Sequence, residues 1–309
     1  MTKCAAFWKH TNLRSGDRIF PCCRFKTPID TYNGTVVDIL DSDAYKSLRE
    51  KSAAGEKIEG CSKCYYEESL GKKSLREKFN EQYTTNTVEL EYLEIGFDNI
   101  CNLTCDGCWG EFSSAWANKE NPNDVKKINI VSSKPVLDIP STVKEIMFLG
   151  GEPLMTNRHR TLLERISDLS KVSVTYNTNG TFMLTDRDID LMKQLKHVSF
   201  IVSIDGYADL NDKVRSGSKW NDIMMFIKQL TDESFEFSVH TTIHLNNYHG
   251  LDALSDWVHD NGYTWTTNIL TYPAHLDIKN LDETNKMELR TLLENYQVPN
   301  SKYILEHIQ

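Results

Sequence analysis

The chain has 309 residues, of which 44 are acidic and 35 are basic, and its formal net charge at pH 7 is −9. This length allows a sizeable core, and the acidic balance argues against nucleic acid as the main partner. No apolar run approaches the length of a membrane span, and the first ten residues lack the apolar segment of a signal peptide. We therefore expect a cytoplasmic protein with no membrane contact.

The first part of the chain, residues 1–87, is rich in cysteine and predicts a small α+β domain. Cys4–His10 and Arg18–Cys23 are typical of two short strands around a turn, because Arg14, Ser15, Gly16 and Asp17 lie between them. Helices are expected over Asp43–Ala54 and Ser74–Tyr83.

All eight cysteines precede residue 109, which places any metal chemistry in the first third of the chain. The cytosol keeps thiols reduced, so clustered cysteines indicate metal rather than disulfides. Within the first domain four thiolates are available to close an iron–sulfur cluster or a zinc site, and spacing alone does not separate the two metals. These candidate ligands are Cys4, Cys22 (or its neighbour Cys23), Cys61 and Cys64.

From residue 88 onward, strand-like segments alternate with amphipathic helices. The predicted strands are Leu90–Phe97, Glu145–Leu149, Val172–Tyr176, His197–Ser203, Phe235–Ile243 and Tyr263–Leu270. The predicted helices between them are Arg160–Leu169, Asp186–Lys196, Trp220–Leu230 and Leu251–His259. Such alternation indicates a parallel sheet with right-handed crossovers. Six units over 88–275 predict an α/β fold, a partial (β/α)6 TIM-like barrel, followed by a C-terminal helix, Asp282–Tyr296, and a short tail within 276–309.

Distinctive polar turns follow the first four of these strands. Three cysteines in the spacing Cys-x3-Cys-x2-Cys follow the first strand, and Gly150-Gly151-Glu152-Pro153 follows the second. Asn177-Thr178-Asn179-Gly180 follows the third, and Ser203-Ile204-Asp205-Gly206 the fourth. The carboxyl ends of parallel barrel strands are where catalytic loops gather, so the sequence predicts an active site at this rim.

The triad Cys101, Cys105 and Cys108 resembles the signature of the radical S-adenosylmethionine (radical SAM) enzymes. That resemblance implies a 4Fe-4S cluster held by three cysteines, whose fourth iron binds the methionine end of S-adenosylmethionine (SAM). One electron then splits the sulfonium to give a 5′-deoxyadenosyl radical, which abstracts hydrogen from a substrate. The residue before the third cysteine is usually aromatic in this family, whereas here it is Gly107.

The other polar turns resemble the SAM-binding segments of the same family. Gly150, Gly151 and Glu152 match the motif that binds the amino group of SAM, where a carboxylate can pair with an ammonium. The remaining implied SAM-site residues are Asn179 in the third-strand segment, Ser203 and Asp205 at the ribose hydroxyls, and Arg215 at the SAM carboxylate.

The run from Ile19 to Cys23, followed by Cys61-x2-Cys64, resembles the twitch and SPASM auxiliary-cluster modules of radical SAM enzymes. Those modules commonly follow the barrel, whereas these cysteines precede it. Cys22 stands at the module's Pro-Cys position, which favours it over Cys23 as a ligand. A structural four-cysteine zinc knuckle is the alternative.

These resemblances imply a radical SAM enzyme that uses SAM and an external one-electron reductant of the flavodoxin or ferredoxin type. The motifs do not specify the substrate, and the classes implied by an auxiliary cluster are peptides, proteins and carbohydrates. The alternative is a non-catalytic zinc- or cluster-binding interaction protein on a degenerate barrel.

Overall fold

A computed structural model describes residues 3–122, 124, 128–134, 136 and 138–309. The chain divides into two compact units. The first unit consists of Met1–Ile100, Asn129–Tyr176 and Asp186–Val198, and the second of Cys101–Ile128, Asn177–Thr185 and Ser199–Gln309.

Strands and helices alternate through most of the described chain. The strands are β1 His10–Arg14, β2 Arg18–Phe20, β3 Asp30–Thr31, β4 Tyr92–Gly96, β5 Thr104–Cys105, β6 Glu145–Leu149, β7 Ser173–Thr178, β8 His197–Ser203, β9 Arg215–Ser216, β10 Glu236–Ile243 and β11 Thr264–Ile269. The α-helices are α1 Ala6–Lys9, α2 Asp43–Ala53, α3 Ser62–Ser69, α4 Leu75–Gln82, α5 Ser114–Glu120, α6 Arg158–Leu163, α7 Asp186–Met192, α8 Asp209–Val214, α9 Trp220–Asp232, α10 Leu251–Asp260, α11 Glu283–Asn295 and α12 Ser301–His307. Among the described residues no helix is both long enough and apolar enough to cross a membrane.

The first unit is built on a mixed sheet in the order β7-β6-β4-β1-β2-β3. Strands β7, β6, β4 and β1 run parallel, and β2 and β3 add antiparallel hairpins at one side. Strand β1 joins the N-terminal cysteine block, residues 1–87, to the first predicted barrel strand. In this pairing His10 lies opposite Tyr92, and Leu13 lies opposite Ile95. Residues 1–100 lie in one unit, so the predicted domain boundary at 87/88 is not a boundary between these units, and the three-domain division remains a prediction.

The second unit contains a parallel sheet in the order β8-β10-β11 and a separate antiparallel pair, β5 with β9. One face of the parallel strands is apolar and is covered by helices, as shown by the edge-to-face contact of Phe200 with Phe226 on α9, with ring centroids 5.8 Å apart. The opposite face alternates with it in sequence and is half exposed. This alternation is the expected signature of a strand with two different environments.

The six barrel strands are present within two residues of their predicted ends, and the predicted α/β class with parallel strands is confirmed. The part of the chain that the structure describes forms no closed barrel. The predicted strand Cys4–His10 is wrong, because Ala6–Lys9 is helical and only His10 begins a strand. A short apolar run fits either state, and here Phe7 and its alanine neighbours bury into the core as a helical turn.

The C-terminal tail also differs from the expectation, since Ser301–His307 is a helix. Tyr303 and Ile304 are buried within the second unit, to which this helix belongs. His307 Nε2 lies 2.6 Å from Asp277 Oδ1. A segment of seven residues is too short for its apolar residues to show a helical period in the sequence. Burial of its side chains in the folded chain stabilises this helix.

Tyr45 on α2 fixes the cysteine block to its own sheet. Its side chain is fully buried, and its hydroxyl lies 2.9 Å from Thr11 Oγ1 and 3.1 Å from the carbonyl oxygen of His10. Removing this donor would leave buried acceptors without their partner, which costs more than the mean value of a hydrogen bond.

We expect Tyr45→Phe to lower the free energy of unfolding of the metal-free protein by about 1–3 kcal/mol, because the buried acceptors lose their donor. The matched control is Tyr207→Phe, whose residue is 42% exposed. That change should stay within about 0.5 kcal/mol. Urea unfolding of both variants checks the prediction, and equal midpoints for the two would contradict it.

Candidate active site

The cysteine loop 101–108 lies in the second unit and is fixed by its backbone. Thr104 and Cys105 form β5 and pair with Ser216 and Arg215 of β9. The amide of Asp106 donates to the carbonyl of Val214 at 2.8 Å, which extends this ladder. All three thiols, those of Cys101, Cys105 and Cys108, belong to half-exposed residues. The backbone of the loop is therefore held, and its three cysteines are half-buried.

Helix α5, which follows the loop, supplies a second set of contacts. Ser113 caps this helix by accepting from the amide of Trp116 at 3.2 Å, and its hydroxyl donates to the Leu103 carbonyl at 2.6 Å. Ser114 Oγ lies 3.1 Å from the amide of Cys101, and the Trp116 indole donates to the Cys105 carbonyl at 2.9 Å. Sequence reasoning missed these residues, although a serine at an N-cap position is a recognisable signal.

The thiols of the loop share one electrostatic environment. Burial is the main cause that raises the pKa of Cys105 to about 11 and that of Cys108 to about 12, and neighbouring thiols of the loop act in the same direction. The Arg215 guanidinium acts in the opposite direction on both thiols. Metal ligands must be thiolates, so a bound cation has to supply the stabilisation that this environment lacks. Three soft sulfur donors on one short loop fit the iron of a 4Fe-4S cluster.

Asn179, on the turn after β7, contacts the same loop within the second unit. Its amide nitrogen lies 3.0 Å from Asn102 Oδ1 and 3.9 Å from the sulfur of Cys101. Its oxygen accepts from the amide of Thr181 at 2.9 Å, which fixes the side chain. Hydrogen bonds to the sulfur ligands are one way in which proteins tune a cluster. The structure thus brings the predicted residue Asn179 to the cysteines.

Ser203, Asp205 and Arg215 also lie in the second unit. Ser203 is half exposed, and its hydroxyl lies 3.4 Å from Asn177 Oδ1. Asp205 and Arg215 form an ion pair, with Asp205 Oδ2 2.7 Å from Arg215 Nη1. Burial lowers the pKa of Arg215, but the Cys105 thiol and the Asp205 carboxylate outweigh it and raise that pKa above its ordinary value, so the guanidinium is a permanent charge.

The Gly150-Gly151-Glu152 turn lies in the first unit, where it follows β6. Its amides donate to the segment before the cysteine loop, Gly151 to Asp98 O at 3.0 Å and Glu152 to Ile100 O at 2.7 Å. A Cβ on Gly151 would lie 2.2 Å from Ile100 O, so only glycine fits. Glu152 is almost fully buried, and one carboxylate oxygen accepts from the amide of Leu154 at 3.1 Å.

The half-exposed face of the second unit's sheet carries further polar side chains, which are not among the predicted site residues. His240 on β10 stands beside Ser203 and Thr266 in the register, and its Nδ1 lies 2.8 Å from Thr266 Oγ1. Thr242 and Asn268 continue the same face two residues further along their strands. The alternation of these residues with buried ones was the available signal.

The four predicted auxiliary ligands, Cys4, Cys22, Cys61 and Cys64, are all buried in the first unit, whereas Cys23 is exposed. Burial is the main cause that raises the pKa of Cys4 to about 12, and the Cys61 and Cys64 thiols act in the same direction. Among the described residues no three His, Cys, Asp or Glu side chains are grouped so that they could hold a single metal ion. Three of these residues, Cys4, Cys22 and Cys61, belong to an apolar cluster whose other members are Ala5, Ala6, Phe7, Phe20, Phe25, Leu48, Ile58 and Phe79.

Residues 96–258, which include the cysteine loop, match the family model of the Radical SAM superfamily. The match covers more than half of the chain, so the chain belongs to the radical SAM superfamily, a superfamily of enzymes. Membership implies a 4Fe-4S cluster and SAM as cofactors.

The individual proteins that resemble this chain share low sequence identity with it. The sporulation killing factor maturation protein SkfB of Bacillus subtilis (strain 168) is 28% identical over 162 residues, which are 52% of this chain and 37% of SkfB. Native anSMEcpe with bound AdoMet is similar in structure, with a TM-score of 0.49 and 14% identity over 66% of this chain and 60% of that one. Streptococcus suis SuiB bound to precursor peptide SuiA gives a TM-score of 0.46 and 16% identity over 82% and 58%. The chain thus spans less than two thirds of each of these relatives.

Ser113 offers a direct test of how the cysteine loop is held. We expect Ser113→Ala to increase the alkylation rate of the loop thiols in the reduced, metal-free protein by about 5- to 30-fold. The variant loses the helix cap and leaves the Leu103 carbonyl without its donor, which together cost about 1–2 kcal/mol. The population of the open loop rises by the corresponding factor, and the alkylation rate rises with it.

Ser42→Ala is the matched control, because Ser42 caps α2 in the same way, by accepting from the amide of Tyr45. It should cost similar stability and leave the rates at Cys101, Cys105 and Cys108 unchanged. Mass spectrometry of the alkylated peptides measures each thiol, and equal rates in both variants would show that Ser113 does not restrain the loop.

Proposed function

We propose that this chain is a radical SAM enzyme that cleaves SAM reductively and modifies a peptide or protein substrate. The observation that carries the proposal is the cysteine loop, in which three half-exposed thiols are held by a fixed backbone beside the Arg215 guanidinium. When bound, the cluster would supply the electron that splits the sulfonium of SAM. The chain's own contribution is to hold the ligands, bind SAM and exclude water.

The proposed SAM-binding residues divide by the part of the ligand that they suit. Glu152 is a buried carboxylate on a turn without side chains at Gly150 and Gly151, which fits an ammonium group. Ser203 offers a hydroxyl for the ribose, and Asn179 would line the site next to Cys101.

Two observations support a peptide or protein substrate. SkfB is by name the maturation protein of a killing factor, and it is similar to half of this chain. The polar face around His240, Thr242 and Thr266 offers donors and acceptors of the kind that a polypeptide backbone requires. An open face of this sort suits a substrate larger than a metabolite.

We further propose that Cys4, Cys22, Cys61 and Cys64 hold an auxiliary iron–sulfur cluster of the twitch or SPASM kind. The Cys61 and Cys64 thiols raise the pKa of Cys4, the Cys64 thiol raises that of Cys61, and the Cys4 thiol raises that of Cys22, as expected of near neighbours. Burial of Cys22 and exposure of Cys23 favour Cys22 as the ligand. Zinc remains the alternative for these four thiolates, and an external flavodoxin- or ferredoxin-type protein is the proposed reductant.

SAM cleavage tests the main proposal. Reduced, cluster-loaded protein should release 5′-deoxyadenosine from SAM slowly even without substrate. Replacing Cys101, Cys105 and Cys108 together by Ala should abolish this release, because no iron is left to bind the sulfonium's methionine end. Chromatography of the products measures it, Cys23→Ser is the control expected to behave as wild type, and wild-type cleavage by the triple variant would refute the proposal.

Metal content tests the auxiliary cluster. With two cubanes the wild type should carry about eight irons, and the double variant Cys61→Ala, Cys64→Ala about four, while SAM cleavage persists. The zinc alternative gives about four irons and about one zinc in the wild type, with zinc alone lost from the variant.

The neighbouring cysteines supply a matched pair for the same measurement. Cys22→Ser should lower the metal content of the first unit, whereas Cys23→Ser should not change it. The reverse result would assign the ligand to Cys23.

A further inference from the structure

The ion pair between Asp205 and Arg215 is almost fully buried in the second unit, with side chains only 9% and 13% exposed. Asp205 uses both carboxylate oxygens within the protein. One oxygen accepts from Arg215 Nη1 at 2.7 Å, and the other accepts from the backbone amide of Thr242 at 2.7 Å. The carboxylate is thus clamped between a strand end and the guanidinium.

The backbone of Asp205 is held as firmly as its side chain. Its amide donates to Asn211 Oδ1 at 3.0 Å, and its carbonyl accepts from Asn247 Nδ2 at 2.8 Å. Both asparagines are fully buried. Asp205 therefore has little freedom to turn toward a ligand without breaking several buried hydrogen bonds.

Arg215 is placed differently, because it retains donors. Its backbone lies opposite Cys105 in the ladder, and its charge interacts with the thiols of Cys105 and Cys101. A guanidinium has five N–H donors in a planar fork. Arg215 Nε is buried, and it finds no hydrogen-bond partner among the residues that the structure describes. Such a donor suits a second carboxylate next to the cysteine loop.

We infer that Asp205 is a positioning residue, which holds the Arg215 guanidinium against the cysteine loop so that Arg215 binds the carboxylate of SAM. Asp205 then acts on SAM through Arg215 and makes no contact with the ribose. This differs from the ribose contact that the family resemblance implied for Asp205, and it rests on the proposed radical SAM function.

The two roles are separated by a ligand that lacks the ribose hydroxyls. The probes are SAM and its 2′,3′-dideoxyribose analogue, both of which keep the methionine carboxylate. Binding to the cluster-loaded protein is measured by equilibrium dialysis for the wild type, Asp205→Asn, Arg215→Gln and the double variant. Asp205→Asn keeps an oxygen for the Thr242 amide, but it turns an NH2 donor toward the guanidinium, so both the charge and the acceptor that hold Arg215 are lost.

We expect Asp205→Asn to weaken both ligands by the same factor, on the order of 10-fold, so that the preference for SAM over the analogue is unchanged. The double variant should bind no more weakly than Arg215→Gln alone, since the two residues act as one unit. Asp209→Asn, an exposed residue on α8, is the matched control and should bind both ligands as the wild type does. Iron content should match across all variants, which shows that each of them folds and loads its cluster.

A loss of the preference for SAM over the analogue in Asp205→Asn would overturn the inference, because it would place Asp205 at the ribose. Unchanged binding in Asp205→Asn, or additive losses in the double variant, would also overturn it. If the Asn variant does not fold, Asp205→Glu gives the same test, since its displaced carboxylate should weaken both ligands equally. Absence of SAM binding by the wild type would instead refute the proposed function, which keeps the two failures distinct.

Discussion

A two-residue backbone ladder, Thr104 and Cys105 against Ser216 and Arg215, is the contact on which the cysteine loop depends. Leu103 is the loop's one fully buried side chain, so hydrogen bonds must supply much of the restraint on the other residues. The same ladder carries the guanidinium to the thiols, because Arg215 is the direct partner of Cys105. Geometry and charge at the candidate site therefore have one origin. A change that separates β5 from β9 would disturb the metal ligands and their neighbouring cation together.

The two groups of cysteines meet different physical surroundings. Cys4, Cys22 and Cys61 lie within an apolar cluster, whereas the loop thiols are half exposed and have Arg215 nearby. A cluster in the apolar setting would be shielded from water and would have no open iron, which suits electron storage or transfer. A cluster on the loop would have three cysteine ligands, which would leave one iron open to SAM. The number of thiols and the nearby cation thus distinguish the two groups of cysteines more clearly than burial does.

Much of the fold and the cysteine loop could be predicted from the sequence, because alternating hydrophobicity and the cysteine spacing are local signals. The strands Glu145–Leu149 and His197–Ser203 were predicted with their observed ends. The helix at Ala6–Lys9 was not, since a short apolar run does not distinguish helix from strand. The ion pair between Asp205 and Arg215 could not be predicted from the sequence, because each residue matched a separate ligand-binding role. Only the folded chain shows the two in contact.

The parallel pairing of β1 with β4 has a consequence for how this protein can be divided. The strand that leads into the cysteine loop is an interior strand only because His10–Arg14 covers its side. Removing the N-terminal block would turn Tyr92–Gly96 into an open edge with a row of unpaired amides and carbonyls. Exposed edges of this kind pair with other chains and lead to aggregation. The cysteine block, residues 1–87, thus protects an edge of the sheet as well as carrying thiols, so any replacement for it would have to bring a strand of its own.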